Sequence, residues 1–480
     1  MHALEILART RPQHAALLAG TNAWSFAQLF REASGMASRL LREYGIRRGD
    51  RVATFASNSP QHVCALHALM LLGATCVPLN TRLVVEELRS QIALLRPALL
   101  IHEGDVGDFG VDRAMFDDLH APSLSTCCTE SPANDELLSI LFTSGSTGIP
   151  KAVPHTWRNH RASAEASRAN LGVYDNDIWL CTIPLYHIGG LAILTRSLFH
   201  GFTVALPSSE NDEALEAQLS RSVSIVSLVP TQLHRMLTSA PDFTRESCPD
   251  LRAILLGGGS APSSLWRNAL SRGLPVLGTY GSTETCSQVC TVPPGREREY
   301  VETAGPPLPG VEIEIRAIDT SHPHIGAQGE IWVRGPMVSA GYIDQPRLNS
   351  ERFRNGWYRT GDIGMQRADG AIVVLARKED LIISGGENVH PAEIEEILRS
   401  HPSIREVLVT GVEDEEWGQR VGAVISGTSI DHDELERWCR QRLASYKIPR
   451  LWLVVDRIPT TASGKPHRAA ASALLAELII

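Results

Sequence analysis

The run Leu141-Phe142-Thr143-Ser144-Gly145-Ser146-Thr147-Gly148-Ile149-Pro150-Lys151 governs the reading of the whole chain. A strand-like segment, Leu137–Phe142, leads into six residues drawn only from Ser, Thr and Gly, and a proline and a lysine close the run. Glycines let a backbone approach a ligand closely, so such a loop presents N–H groups and hydroxyls to a polyphosphate. It is not a Walker A loop, which has four residues between its glycines and Lys directly after the second. Here Gly145 and Gly148 enclose two. Ser/Gly runs in general are more often flexible surface loops. The apolar strand before this one and the Pro150-Lys151 after it weaken that alternative.

Outward from the loop, short apolar runs alternate with helical patterns. Arg51–Ala56 reads as a strand, Gln61–Leu72 as a helix, Cys76–Leu79 and Ala98–His102 as further strands. The rhythm recurs at Ser224–Val229, with a helix through Met236, and at Ala253–Gly257, with a helix from Pro262. Strands alternating with helices imply parallel-rich sheets covered by helices. After Gly281 the character changes: Val311–Ile318 and Glu330–Arg334 read as antiparallel strands between Gly-Pro turns. From about Asp380 a compact α+β segment follows. It has helices at Pro391–Ser400 and Asp431–Leu443 and strands near Val407–Gly411, Val421–Ser426 and Leu451–Val455. The expected architecture is a large α/β N-terminal domain with a β-rich part (1–376), a hinge (377–380) and a small mobile α+β C-terminal domain (381–480).

Three more segments carry chemistry. In Gly278-Thr279-Tyr280-Gly281-Ser282-Thr283-Glu284-Thr285, Thr283 can bond a phosphate oxygen and Glu284 supplies a hard ligand for magnesium. Alone, a Thr-Glu pair after a strand is more often a cap or turn. In Tyr358-Arg359-Thr360-Gly361-Asp362-Ile363-Gly364, an Asp beside a glycine turn suits the paired hydroxyls of a ribose, or is an ordinary turn. Ser463-Gly464-Lys465 lies in a polar loop near the C-terminus, where a lone lysine is usually only solvated.

In this order and spacing the four segments resemble the acyl/aryl-CoA synthetases of the adenylate-forming superfamily, and the resemblance covers nearly the whole chain. Gly341-Tyr342, Pro346, Ser384-Gly385-Gly386-Glu387-Asn388 and Tyr446-Lys447-Ile448-Pro449 add to it. The resemblance implies ATP, magnesium and coenzyme A as reactants and a two-step reaction through an acyl-adenylate. It implies that Thr143–Lys151 closes over the β- and γ-phosphates and that Gly257, Gly258, Gly259, Ser260 and Ala261 flank adenine together with Thr279, Tyr280 and Gly281. It places Thr283 and Glu284 at the α-phosphate and magnesium, Asp362 and Arg377 at the ribose, and Lys465 between the α-phosphate and the attacking carboxylate. Glu379 takes the pivot position, where Asp is frequent. Ser384, Gly385, Gly386 and Glu387 replace Lys465 at the site in the thioester-forming orientation. Ala152 and Ala376 stand where glycine is commoner.

Within that superfamily, Pro184-Leu185-Tyr186-His187-Ile188-Gly189-Gly190-Leu191, Leu256-Gly257-Gly258-Gly259-Ser260-Ala261-Pro262 and Thr283–Gln288 look most like the o-succinylbenzoate–CoA ligases of menaquinone biosynthesis. That acid carries a ring, a ketone and two carboxylates, so its pocket needs an aromatic-sized slot and polar groups for the carboxylate that does not react. The resemblance places His187 as a gate beside the acyl group. Ser287 and Gln288 are candidates for the acyl pocket, although a buried Gln satisfied by backbone is the plain alternative. Arg196 is a candidate counter-ion for the second carboxylate, and a surface helix charge is about as good a reading.

The bulk composition agrees with an enzyme of this kind. A net charge of −9 excludes the basic footprint of a general nucleic-acid binder. The nine cysteines are scattered without paired C-x-x-C spacing, which favours a reduced, cytoplasmic setting over zinc or disulfides. The start of the chain, with Glu5 and no long apolar run, does not read as a signal peptide, and Ala65–Leu79 is too short to span a bilayer. The competing readings are another aryl-, malonyl- or medium-chain acyl-CoA synthetase, an adenylation enzyme loading a separate carrier protein, and a catalytically silent binding homologue.

Overall fold

The segments expected to alternate strand and helix do so, and they build two sheets. The protein is described here by a computed structural model over residues 1–104, 106–119, 131–143, 151–207, 215–259, 261, 263–316, 326, 328–377, 382–389, 391–428, 431–459 and 468–478. Among these, the larger sheet runs Ser287–Thr291, Val276–Ser282, Ala253–Leu256, Ile225–Leu228, Ile178–Leu180, Thr203–Leu206, Ala15–Ala19, Asn22–Ser25. Its interior pairs are parallel and both edge pairs are antiparallel. The second sheet runs Arg113–Met115, Leu99–His102, Arg51–Phe55, Thr75–Pro78, Leu137–Thr143, Lys151–Thr156, with only its last pair antiparallel. Fully buried strands such as Ala253–Leu256 and Leu99–His102 read as unbroken apolar runs because helices cover both faces.

Local signals set the helix ends. Ser59 accepts the His62 N–H and Pro60 opens the helix Pro60–Leu72, which stops at Gly73 in the left-handed region. Thr156 and Asn159 cap Trp157–Leu171 reciprocally.

The β-rich part is an antiparallel sheet of Glu312–Arg316, Gln328–Arg334, Trp357–Gln366, Phe353–Arg354 and Ile372–Arg377. The C-terminal sheet holds Glu387–Val389, Ile382–Ser384, Gly418–Gly427 and Ile404–Asp414, with Leu451–Val454 parallel to Gly418–Gly427. Its central hairpin is about twice as long as the apolar runs suggested, because the polar ends 412–414 and 418–420 still pair in register. The helix expected over 431–443 is His432–Arg440 with Asp431 as its cap, and 263–271 forms the helix expected from Pro262, itself outside the described residues. This sheet packs a core of its own, including Ile382, Ile394, Leu398, Val409, Ile425 and Leu435. No helix among the described residues is long and apolar enough to cross a membrane.

Candidate active site

A cavity of about 1690 Å³ lies where the carboxyl ends of the strands meet the β-rich part and the C-terminal sheet. That exceeds the ~300–1,000 Å³ usual for one small ligand. Thr143, Lys151, Gly257–Gly259, Ala261, Thr279–Glu284 and Asp362 line it, together with His187, Arg196, Ser287, Gln288 and Gly385–Glu387. Residues read from separate motifs thus share one wall. Ser144, Gly145, Ser146, Thr147, Gly148, Ser260, Glu379 and Lys465 lie outside the described residues.

The two ends of the Ser/Thr/Gly loop are fixed even so. Thr143 and Lys151 face each other as the last pair of an antiparallel hairpin, so the loop begins and ends at one point on the cavity wall. Lys151 is buried, its ammonium 5.7 Å from the centre of the Tyr342 ring. Opposite, Asp362 and Arg377 are partners in antiparallel register, and the Asp362 carboxylate accepts a 2.6 Å hydrogen bond from the Tyr280 hydroxyl. Gly281 is obligatory for steric reasons: a Cβ there would lie 1.9 Å from the Ser287 carbonyl oxygen.

Glu284 sits at the centre, buried, its Oε1 accepting from the Tyr342 hydroxyl at 2.8 Å. Burial and the adjacent Glu284 carboxylate hold the Tyr342 phenol well above its usual range, so it stays a donor. One residue earlier, the Thr283 carbonyl accepts from His155 Nε2 at 2.6 Å. A carbonyl can only accept, so Nε2 carries the His155 proton and Nδ1 is free to accept from Ser139 Oγ, 3.4 Å away. Ser139 Oγ also lies 2.9 Å from His160 Nε2, and His160 Nδ1 lies 3.2 Å from Thr195 Oγ1, whose hydroxyl donates to the Ala192 carbonyl. This network ties the Thr283 turn to the helix Ile188–His200. Burial keeps both imidazoles neutral, His155 being lowered to about 4.

That helix carries the acid end of the cavity. His187 is its N-cap residue, and Arg196 lies two turns in, only 2% exposed. The guanidinium is 5.4 Å from the Trp179 ring centre, and Nη2 donates to Ser287 Oγ at 3.3 Å. Its Nε is buried with no hydrogen-bond partner, and no carboxylate pairs with Arg196 among the described residues. The surface-charge reading of Arg196 is therefore wrong: the helix is apolar all round and buried. Gln288 is buried as well, but two hydroxyls satisfy it instead of backbone: Oε1 accepts from Ser167 at 3.2 Å and Nε2 donates to Thr279 at 3.1 Å. Cys286 and Ser287 have φ of 50° and 90°, a turn unusual for residues with side chains, and it sets Ser287 against Arg196.

The segment Ser384–Glu387 is a two-residue hairpin turn. Ser384 pairs with Glu387 across Gly385 and Gly386, whose φ values of 58° and 80° suit the turn type that Gly-Gly supports. A Cβ on Gly386 would come within 3.0 Å of the Val229 side chain, so the turn rests on the end of strand Ile225–Leu228. Glu387 Oε1 lies 3.3 Å from His187 Nε2 and 3.4 Å from Arg82 Nη1. His187 and Arg82 hold the Glu387 carboxyl below its usual range against the opposing effect of burial.

Sequence reasoning missed the roles of Tyr342 and His155. Tyr342 stood in a recognised Gly-Tyr pair, but its bond to Glu284 spans 58 residues, and that of His155 to Thr283 spans 128. A lone charge within the apolar run 188–199 was the available signal for Arg196.

The chain matches the family described as AMP-binding enzyme over residues 4–343 and the AMP-binding enzyme C-terminal domain over 393–465. It is 40% identical over 472 residues to a 2-succinylbenzoate–CoA ligase of Bacillus licheniformis, covering 96% of this chain and 97% of that protein. The o-succinylbenzoate CoA synthetase of Bacillus subtilis is 36% identical, with 98% of this chain and 97% of that one covered. A double mutant of it, bound with its product analogue OSB-NCoA, superposes with a TM-score of 0.91, and its complex with the acyl-adenylate intermediate OSB-AMP with 0.76. Identity and coverage being equal, the two differ in how their parts are arranged, and this chain has the arrangement of the first. The first match alone takes in well over half of the sequence, and the protein therefore belongs to the AMP-binding enzyme family.

Proposed function

We propose that this protein is an ATP-dependent acid–thiol ligase that converts o-succinylbenzoate to its CoA thioester through an acyl-adenylate, releasing pyrophosphate and then AMP. The observation that carries the choice of acid is Arg196, a buried guanidinium on the cavity wall with an unpartnered Nε and, among the described residues, no carboxylate beside it. Burial lowers it only to about 10, so it is a cation at neutral pH and calls for an anion from the ligand. A dicarboxylate supplies one: one carboxylate pairs with Arg196 while the other reacts, Ser287 and Gln288 lining the slot between.

The carboxylate that reacts is a weak nucleophile approaching a polyanion, so the site has to lower that repulsion and fix the approach. Lys151 and Thr143 at the loop mouth hold the β- and γ-phosphates, Gly257–Ala261 and Thr279–Gly281 hold adenine, and Asp362 with Arg377 holds the ribose. Glu284 fits magnesium, being a hard oxygen ligand on the cavity wall. Magnesium there supplies neutralisation of the phosphate charge. Lys465 bridges the reacting groups in this first step.

In the second step the CoA thiol attacks the acyl carbon and AMP leaves. Residues 377–380 are the hinge between bodies 1–376 and 381–480, with Glu379 as pivot, and the wall position of Ser384–Glu387 supports the thioester-forming orientation. Use of ATP and CoA and the absence of paired cysteine spacing support a cytoplasmic setting.

Acid-dependent AMP release with ATP, magnesium and CoA tests this directly. O-succinylbenzoate is expected to exceed benzoate, malonate and octanoate, with a CoA thioester visible by mass. Preference for a monocarboxylate would remove the role given to Arg196, and silence with every acid would remove the ligase.

A further inference from the structure

Lys447 ends the short helical turn Ser445–Lys447 and is buried between two glutamates. Its ammonium is 2.5 Å from Glu87 Oε1 and 2.7 Å from Glu393 Oε1, and the three side chains are 6%, 13% and 12% exposed. The partners come from different parts of the chain. Glu87 is the third residue of Val85–Leu95, a helix packed with the second sheet. Glu393 is the third residue of Pro391–Arg399, which packs on the C-terminal sheet, and the Ser445–Lys447 turn leads into that sheet's strand Leu451–Val454. Lys447–Glu393 is thus internal to the C-terminal body, and Lys447–Glu87 spans the junction.

Glu87 is set for this contact by its own helix: Oε2 accepts the Val84 N–H at 3.3 Å, which leaves Oε1 directed at Lys447. The other ionic contacts across the junction, among the described residues, each include a half-exposed side chain. Arg82 beside Glu387 is 53% exposed, His187 36%, and Arg235 and Glu416 are 36% and 48%. Exposed pairs contribute little and tolerate poor geometry, whereas a buried pair is sensitive to separation. The second carboxylate has a physical purpose. When the C-terminal body moves away, Lys447 keeps Glu393 as its counter-ion, and no buried cation is stranded.

We propose that Lys447 is a positioning residue for the thioester-forming step, docking the C-terminal body through Glu87 and so setting the Ser384–Glu387 turn against Val229 and His187. This rests on the two-step reading above. It requires the two half-reactions to respond differently when the contact is weakened, a response that general damage to the fold does not give.

Glu87→Gln is the test of choice, because the amide oxygen still accepts the Val84 N–H while the charge is lost. Enzyme-bound acyl-adenylate formed from o-succinylbenzoate and ATP is mixed with CoA in a single turnover, and acid-dependent ATP–pyrophosphate exchange is measured on the same preparation. Thioester formation is expected to slow about tenfold or more, with exchange within about twofold of the unmodified protein. Lys447→Arg, which keeps a cation facing an intact Glu87, is expected to retain most of the unmodified rate. Equal slowing of both half-reactions, or none of either, overturns the proposal. Absence of exchange in the unmodified protein overturns the two-step reading first and this proposal with it, so the two failures are distinguishable.

Discussion

The inner wall of the cavity and its junction with the C-terminal body are held by different forces. The wall relies on a network of neutral groups: Thr195 with His160, His160 with Ser139, Ser139 with His155, and His155 donating to the Thr283 carbonyl. The junction relies on charges: Lys447 with Glu87, Glu387 with Arg82, Arg235 with Glu416. A neutral network is worth having where nothing moves, since any opened bond leaves a buried group unsatisfied. Charges suit a joint that separates, because ions released to water regain their hydration. On the two-step reading proposed above, the difference places the motion at the junction.

The largest effect that sharpens this contrast is the response to acid. His62, His67 and His155 are buried, each lowered to about 4 by desolvation from an ordinary 6.5. Their folded values lie below the unfolded one, so the stability they contribute is present above pH 6.5 and is lost as pH falls from there through about 4. Each carries roughly 3 kcal/mol over that interval. Burial shifts Glu393 the opposite way, above the usual carboxylate range, with Lys447 and Glu87 facing it. Its folded value lies above the unfolded one, so the stability it contributes is present at low pH and is lost as pH rises through that raised value. Thermal unfolding followed from pH 8 to pH 4 is expected to fall steeply below pH 6, and Glu393→Gln, which removes a group that gains stability as pH falls, is expected to steepen that fall and not to relieve it. A fall relieved by Glu393→Gln would place the acid-sensitive groups at the junction instead.

Arg196→Ala comes next, and it probes the buried cation beside that neutral network. Removing a desolvated cation that pairs with a ligand carboxylate costs about 2–4 kcal/mol of binding, so the KM for o-succinylbenzoate is expected to rise about 100-fold with the KM for ATP little changed. Gln288→Ala, which opens neutral bonds to Ser167 and Thr279, is expected to raise it less. Unchanged acid KM in both variants takes them out of the pocket.

His155→Leu removes the last link of the wall relay and leaves Ser139 and part of the Thr283 carbonyl unsatisfied, about 1–3 kcal/mol. The adenylation rate and the unfolding temperature are both expected to drop. His155→Gln, whose amide can donate to Thr283 and accept from Ser139, is expected to restore most of each. A Leu variant with full activity would show that the relay supports the fold without positioning the turn.

These residues also mark how far the sequence could be read. The loop 143–151, the Thr283-Glu284 pair and Asp362 were legible because each motif is contiguous and its chemistry depends on residues a few places apart. The βαβ rhythm was legible because buried parallel strands are short unbroken apolar runs. The division of the strands between the two sheets was not, since register between Cys76 and Ser139 depends on tertiary packing across 63 positions. Nor was the ionic junction, where Lys447 and Glu87 stand 360 residues apart and Lys447 reads locally as a solvated charge. Arg196 was legible in principle, as the one charge in an apolar helix, but the same residue pattern fits a helix end at the surface. Only burial decides between the two.

The smallest effect expected is the sharpest check on the contrast within the junction itself. Glu416 lies 3.0 Å from Arg235 with both side chains substantially exposed, and the Arg235 guanidinium also sits 4.7 Å from the Trp417 ring centre. With Glu416→Ala, Arg235 keeps water and the ring, and the pair contributes under about 1 kcal/mol. Thioester formation in single turnover is expected to stay within about twofold of the unmodified rate. Added salt at 0.5 M or so is expected to erase even that, since exposed charges are screened over a few ångströms there. Glu87→Gln, acting on a buried contact, is expected to keep its deficit in the same salt. If the two variants behaved alike at both ionic strengths, burial would not be what separates the contacts of the junction, and docking would have to be shared among all of its charges.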